Sequence, residues 1–258
     1  MTFKPTHIVA HYGEIALKGK NQSDFFNRLY GNIHKKLNTL SLDWKIFQPH
    51  GYFLIEVPAD ESSRIPAALE VLKEVIGLVW YAPAMKIMPE DVGLLSDNPD
   101  LSGIEDAIVT LAEDSYEKGQ TFAVRSNRSE KRFVLQSPEI DRHVGQVIID
   151  RTAWSDVDLK NPDVTFHVEV TPEGVYVYGK KIRAFGGLPT GVTGRVLTLL
   201  SGGIDSPAAA FLMAKRGCTV DFIHFTAENI RPENAHEYKV SKLAKTLSKF
   251  TMESRLYL

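Results

Sequence analysis

The chain has 258 residues, 43% of them apolar and 24% charged, with a formal net charge of -2 and one cysteine. This is a globular composition with length for two or three domains, and no apolar run approaches the roughly 20 residues that cross a bilayer. Cys218 has no second cysteine to pair with, and no opening segment joins basic residues, an apolar run and a small-residue cleavage site. The expected setting is the reducing cytoplasm, away from membranes. The small net charge conceals a segregation: residues 74 to 117 hold ten Asp or Glu against Lys86 alone, and residues 118 to 132 hold five Lys or Arg against Glu130. A pI near 6.5 therefore does not exclude a nucleic-acid partner. Local basic patches bind polyanions, although a charge run also fits a merely solvated face.

In chain order, His7 to Tyr12 reads as a strand, and Ser23 caps a helix with Phe26, Leu29, Ile33, Leu37 and Leu40 on one face. Trp44 to Phe47 and Tyr52 to Val57 read as strands around a His50-Gly51 hairpin turn. Ser62 or Ser63 opens a second helix bearing Ile65, Leu69, Leu72 and Ile76, and Leu78 to Ile87 is again strand-like. The order β-α-β-β-α-β is ferredoxin-like, a scaffold shared by many functions. Ser102 and Glu105 form a capping-box signature for a helix to about Tyr116, Thr121 to Arg125 reads as a strand, and Ser137-Pro138-Glu139 starts a helix. Val164 to Val170 and Val175 to Lys180 complete this second α/β unit as paired strands.

Residues 184 to 194 hold four glycines and a proline without apolar period, which marks a linker or functional loop. The pattern then becomes Val196 to Leu200 (strand), Pro207 to Arg216 (helix), Val220 to Phe225 (strand), Asn234 to Phe250 (helix) and Ser254 to Leu258 (strand). This alternation predicts the start of a doubly wound parallel sheet. The fold class expected is thus multidomain, α/β and α+β. The expected divisions are 1-72, 73-181, a linker at 182-195, and 196-258. Two β-α units and a third strand make a small sheet for a nucleotide domain, so a longer native protein is expected.

The candidate chemistry lies in Ser201-Gly202-Gly203-Ile204-Asp205-Ser206, between a strand and a helix. Glycines let backbone N–H groups approach phosphate oxygens, and the helix N-terminus adds roughly half a positive charge. Ser201 and Ser206 can donate hydroxyl hydrogen bonds. Asp205 suits either of two jobs, holding Mg2+ or organising the loop, and would repel a bare phosphate. The run is neither a Walker sequence nor G-x-G-x-x-G. A serine-capped turn without a ligand is the bland alternative.

The run resembles the SGGxDS loop of the ATP pyrophosphatase superfamily, whose members cleave ATP between its α- and β-phosphates and adenylate a substrate. Phe185-Gly186-Gly187-Leu188-Pro189-Thr190-Gly191, Leu199-Leu200, His224-Phe225 and the opening His11-Tyr12-Gly13-Glu14-Ile15-Ala16-Leu17-Lys18-Gly19-Lys20 together resemble tRNA 4-thiouridine synthetases over nearly the whole chain. That resemblance implies a ferredoxin-like N-terminal domain, a THUMP RNA-binding domain and an incomplete PP-loop domain. It implies ATP and Mg2+ as ligands, Asp205 as the catalytic and metal-holding residue, and Leu199, Leu200, Ser201, Gly202, Gly203, Asp205, Ser206, His224 and Phe225 as nucleotide contacts. Core packing is an equal reading for Leu199, Leu200 and Phe225. The implied reaction adenylates O4 of uridine 8 in tRNA and exchanges it for persulfide sulfur. The implied partners are tRNA and a cysteine-desulfurase-type donor, a homodimer is one assembly it allows, and some members supply sulfur for thiamine thiazole. Cys218 matches no catalytic position and reads as a small buried side chain.

For RNA capture the candidates are Lys18, Lys20, Arg125, Arg128, Lys131 and Arg132, with Phe133 offered as a base-stacking ring. Two readings compete with the synthetase: another adenylating enzyme of the same loop, which leaves the front half unexplained, and an RNA-binding module with a vestigial loop.

Overall fold

The computed structural model describes residues 2–13, 22–49, 51–227 and 234–258. Its elements in order are β1 (His7–Tyr12), α1 (Gln22–Asn38), β2 (Ile46–Phe47), β3 (Tyr52–Glu56), α2 (Ile65–Leu72), β4 (Leu78–Ile87), α3 (Pro89–Val92), α4 (Ser102–Asp114) and β5 (Phe122–Arg128). There follow α5 (Ser137–Arg151), β6 (Val164–Thr171), β7 (Gly174–Tyr178), β8 (Ile182–Arg183), β9 (Arg195–Leu199), α6 (Asp205–Lys215), β10 (Thr219–Ile223), α7 (Lys239–Thr251) and β11 (Leu256–Tyr257). No helix among the described residues is long and apolar enough to cross a membrane.

One sheet has the order β2-β3-β1-β4-β7-β6-β5, with β8 on β4, and a second has β11-β10-β9. In the first, the β2-β3-β1-β4 part places β1 between β3 and β4, the arrangement of a ferredoxin-like βαββαβ unit. Several boundaries differ from the sequence pattern for local reasons. The second helix starts at Ile65 behind a 3-10 turn, Ala59–Arg64, which puts Pro66 in the first turn where its missing N–H costs nothing. Ser102 is the first helical residue of α4, and Asp100 Oδ1 accepts from Ser102 N at 2.9 Å, so an aspartate two residues earlier does the work expected of Ser102. At α5, Gln136 and Glu139 form the capping box. The expected turn at His50 lies outside the described residues.

Contacts divide the chain into two compact units: residues 1–9, 47–65 and 82–182, and residues 10–46, 66–81 and 183–258. The core of the first unit lies between α4 and α5 and one face of β5, β6 and β7, where Val124, Phe166, Val168, Val175 and Val177 alternate inward. Trp154 anchors it. Its ring meets Phe122, Phe166 and Tyr116 near edge-on, and Nε1 donates to Ala112 O at 2.8 Å, so a large apolar surface is buried with its one polar atom satisfied.

The second unit contains the parallel sheet, in which β10 lies between β9 and β11. Leu200, Ala210, Ala214, Val220, Phe222, Val240 and Leu247 form its core with Ile76. The opposite face of β9 presents Leu197 and Leu199 to solvent. The glycine-rich segment expected as a linker is docked rather than loose. Gly186 N donates to Leu78 O, Leu188 N to Lys215 O and Gly191 N to Gly217 O, and Asn32 Nδ2 donates to Thr190 O. Gly187 has φ of 82°, and a Cβ there would lie 2.3 Å from Lys215 O, so only glycine permits this approach. Phe185, Phe211 and Phe250 close the seam as three mutually edge-on rings.

Candidate nucleotide site and basic residues

Leu200 N donates to Ile223 O at 2.8 Å, holding the end of β9 to β10 before the chain turns away from the sheet. Ser201 to Ile204 then form an irregular turn into α6. Its serines hold it. Ser201 N donates to Ser206 Oγ at 2.8 Å, the two hydroxyls lie 2.9 Å apart, and Gly203 N meets Ser201 Oγ at 3.3 Å. No side chain caps α6, and an uncapped N-terminus presents free N–H groups and about half a positive charge. Neither Gly202 nor Gly203 has a left-handed φ, and a Cβ on either would make only ordinary contacts, 3.6 Å from Lys239 Cδ and 3.6 Å from Ser201 Oγ respectively. The chain itself does not require glycine at these two places. Without a side chain, the backbone N–H groups there stay open to an approaching anion.

His224 and Phe225 follow directly on the C-terminal end of β10, beside the end of β9, where parallel sheets place ligands. His224 N donates to Tyr257 O at 2.9 Å and its Nδ1 lies 2.8 Å from Leu200 O. A carbonyl only accepts, so Nδ1 is the donor in this contact. The two readings left open for the apolar residues now separate. Leu200 is 1% exposed and is core, offering a ligand only its backbone, while Leu199 and Phe225 are 62% and 75% exposed. Asp205 stands in the first turn of α6. Among the described residues no group of three or more His, Cys, Asp or Glu could hold a metal ion. Cys218 is buried, its Sγ 3.3 Å from Thr193 Oγ1.

The basic candidates divide. Lys18 and Lys20 lie outside the described residues. Arg128, expected to face phosphate, turns inward: it is 8% exposed, and its guanidinium donates to Phe133 O at 2.6 Å, to Gln136 Oε1 at 2.9 Å and to Leu135 O. It ties the 129–136 loop to β5. Phe133 is 1% exposed and belongs to the core, so it is not a stacking ring in this arrangement. Arg132 is exposed and fork-bonded to Glu130, whose carboxyl the Arg132 hydrogen bonds push down to about 2. Lys131 is exposed with Nζ 2.6 Å from Arg128 O, and Arg125 donates to Leu159 O. Arg125 also lines a cleft of about 400 Å3 beside β5 with Asp141, Arg142 and Gln146. Arg142 belongs to no motif, but Pro138, Arg142, Gly145 and Ile149 recur at helical spacing and mark that face of α5.

Fold and turn together define a class: a parallel sheet with a glycine turn at an uncapped helix N-terminus, joined in one chain to ferredoxin-like and further α/β elements. Residues 7–82 match the ThiI ferredoxin-like domain, 98–179 the THUMP domain, and 191–258 the family described as thiamine biosynthesis protein (ThiI). A probable tRNA sulfurtransferase of Alkaliphilus metalliredigens (strain QYMF) is 38% identical over 251 residues, 97% of this chain and 60% of the relative. Its counterpart in Brevibacillus brevis is 35% identical over 250 residues, 97% of this chain and 59% of the relative. Among solved structures, a 4-thiouridine synthetase–RNA complex with bound ATP aligns with a TM-score of 0.76 at 29% identity, over 96% of this chain and 59% of that one. PH1313 from Pyrococcus horikoshii aligns with a TM-score of 0.79 at 28% identity, over 97% of this chain and 78% of that one. Each of the three family models matches a separate stretch of the chain, which spans about 60% of the length of these curated relatives.

Proposed function

We propose that this chain is the RNA- and nucleotide-binding part of an ATP-dependent tRNA sulfurtransferase that converts uridine 8 to 4-thiouridine. The observation that carries the reading is the glycine turn at the uncapped N-terminus of α6, at the C-terminal end of a parallel sheet, in a chain that also carries a THUMP domain. A related protein of known structure holds both RNA and ATP. In the proposed division of labour, residues 1-72 and 73-181 capture tRNA, 182-195 connect, and 196-258 bind nucleotide. Ser201, Gly202, Gly203 and Ser206 cradle phosphate, and Leu199, Phe225, His224 and the Leu200 backbone face the nucleoside. Asp205 is one ligand of Mg2+, which when bound neutralises phosphate charge. Activation transfers AMP to uridine O4 with release of pyrophosphate; the terminal sulfur of a protein persulfide then attacks C4 and displaces AMP, and a second thiol cleaves the S–S bond, forming a disulfide with the carrier and leaving sulfur on C4. A cysteine-desulfurase-type protein supplies that sulfur in the cytoplasm, a homodimer is the proposed assembly, and sulfur for thiamine thiazole is a second outlet. Arg125, Lys131, Arg132, Lys18 and Lys20 contact the RNA backbone, and Arg128 positions the 129–136 loop that carries Lys131 and Arg132.

Nucleoside analysis of bulk tRNA tests this in the source organism. Deleting the gene should abolish 4-thiouridine, and complementation with the Asp205→Asn gene should fail to restore it. Unchanged 4-thiouridine after deletion refutes the proposal. Restoration by Asp205→Asn leaves the turn vestigial and the chain an RNA-binding module.

A further inference from the structure

We propose that Lys239 is the cation that holds the terminal phosphates of the nucleotide, the part that leaves as pyrophosphate. The proposal rests on the nucleotide reading of the Ser201–Ser206 turn and deepens it. Lys239 lies far from the turn in sequence but over it in space: a Cβ placed on Gly202 would be 3.6 Å from Lys239 Cδ and 3.9 Å from its ammonium nitrogen. The stem therefore runs across the glycine backbone with its charge at the rim of the turn.

Lys239 is also the first residue of α7, whose N-cap, Tyr238, makes no side-chain cap, and whose first turn holds no acidic residue. A cation at the positive end of a helix is electrostatically unfavourable on its own, because the peptide dipoles already place positive charge there. A second uncapped helix end, that of α6, opens on the same turn. The Lys239 ammonium and the N-terminus of α6 thus lie together at the turn, and with Asp205 the only acidic residue of that first turn, an anion there has two positive features to face. The Mg2+ complex of a triphosphate keeps a net negative charge, and one helix end supplies only about half a positive charge against it. The ammonium adds a full positive charge. Placed on the leaving side it also favours the step, since negative charge grows on pyrophosphate as the bond to the α-phosphorus breaks. A monophosphate lacks the groups that would reach this rim.

The test titrates the wild-type chain and its K239A and K239R variants with Mg-ATP, inorganic pyrophosphate and AMP. Lys239 is exposed, so thermal midpoints should coincide. K239A should bind ATP and pyrophosphate about tenfold more weakly, the loss expected of one charge-assisted contact, and AMP within about twofold of wild type. K239R should recover most of the affinity for ATP. Unchanged ATP and pyrophosphate affinities in K239A, or an equal fall for AMP, overturn the role given to Lys239 while leaving the turn as the nucleotide site. A wild-type chain that binds neither ATP nor pyrophosphate overturns the reading of the turn itself and this proposal with it.

Discussion

Replacing Arg128 with alanine removes the donor group shared by two backbone carbonyls, those of Phe133 and Leu135, and by the Gln136 side chain. Arg128 is buried, and water reaches the vacated space only if the loop opens. A buried acceptor left without a donor costs about 1–3 kcal/mol, and these three share one loop that can partly relax, so the expected destabilisation is about 3 kcal/mol rather than the sum. Against a typical stability of about 5–15 kcal/mol this is large, and at a urea slope of about 1–3 kcal/mol/M it moves the midpoint by about 1–3 M. Arg125→Ala and Lys131→Ala, both at exposed positions, should stay within about 0.5 kcal/mol of wild type. Urea unfolding followed by tryptophan fluorescence in a Trp44→Phe, Trp80→Phe background reads the first unit, because the remaining indole, Trp154, sits in its core. If Arg128→Ala unfolds at the wild-type midpoint yet loses tRNA affinity, the inward guanidinium is wrong and Arg128 is a phosphate contact after all.

Changing Arg125, Lys131 and Arg132 together to alanine should weaken tRNA binding and flatten the plot of log affinity against log salt by roughly 0.7 to 0.9 per lost phosphate contact. A folded triple variant with the wild-type slope makes these side chains a solvated face. Asp205→Asn should weaken Mg-ATP binding and leave tRNA affinity nearly unchanged, measured by separate titrations; equal loss of both ligands counts against separate sites. Burial, followed by repulsion from Lys86 at His7 and from Lys181 at His167, lowers both histidines to about 4. The unfolded chain therefore binds protons that the folded one refuses, so stability is intact above pH 6.5 and falls as pH drops from 6.5 towards 4, by about 2 kcal/mol per histidine after allowing for partial exposure. Urea midpoints across that range should show the slope, and His167→Gln should remove about half of it. An identical slope in His167→Gln contradicts the burial argument.

Periodic segments were legible because one face of each is buried. The helical face Leu29, Ile33, Leu37 appears in the structure as read, and β6 buries Phe166, Val168 and Val170 as its alternation suggests, although Glu169 between them is buried too. The Ser201–Ser206 turn stands out in the sequence because glycine at 202 and 203 answers no packing or backbone demand of the chain itself. What stayed hidden depends on long-range geometry. The sequence 125 to 132 shows four cations in a row of similar positions, but nothing local says that Arg128 alone faces carbonyls stranded by the 129–136 loop. Phe133 beside them looks like a stacking ring until the α4 and α5 packing encloses it. The glycine-rich 184–194 segment reads as slack because its partners, Leu78, Lys215 and Gly217, are scattered along the chain. Lys239 shows no motif, since its nearness to Gly202 is created by the packing of α7 beside α6.

The central claim is that the Ser201–Ser206 turn receives the phosphates of ATP through its backbone, and phosphorus NMR of Mg-ATP with the wild-type and Gly203→Val chains tests it most directly. A side chain at Gly203 meets only Ser201 Oγ at 3.6 Å and strains no left-handed backbone, so the variant should fold and unfold as wild type does. The wild-type chain should shift and broaden the phosphorus signals of ATP, and Gly203→Val should leave them as in free ATP, because the branched side chain occupies the space a phosphate needs. Equal perturbation by both chains would contradict the account, since the nucleotide would then be bound somewhere other than this turn.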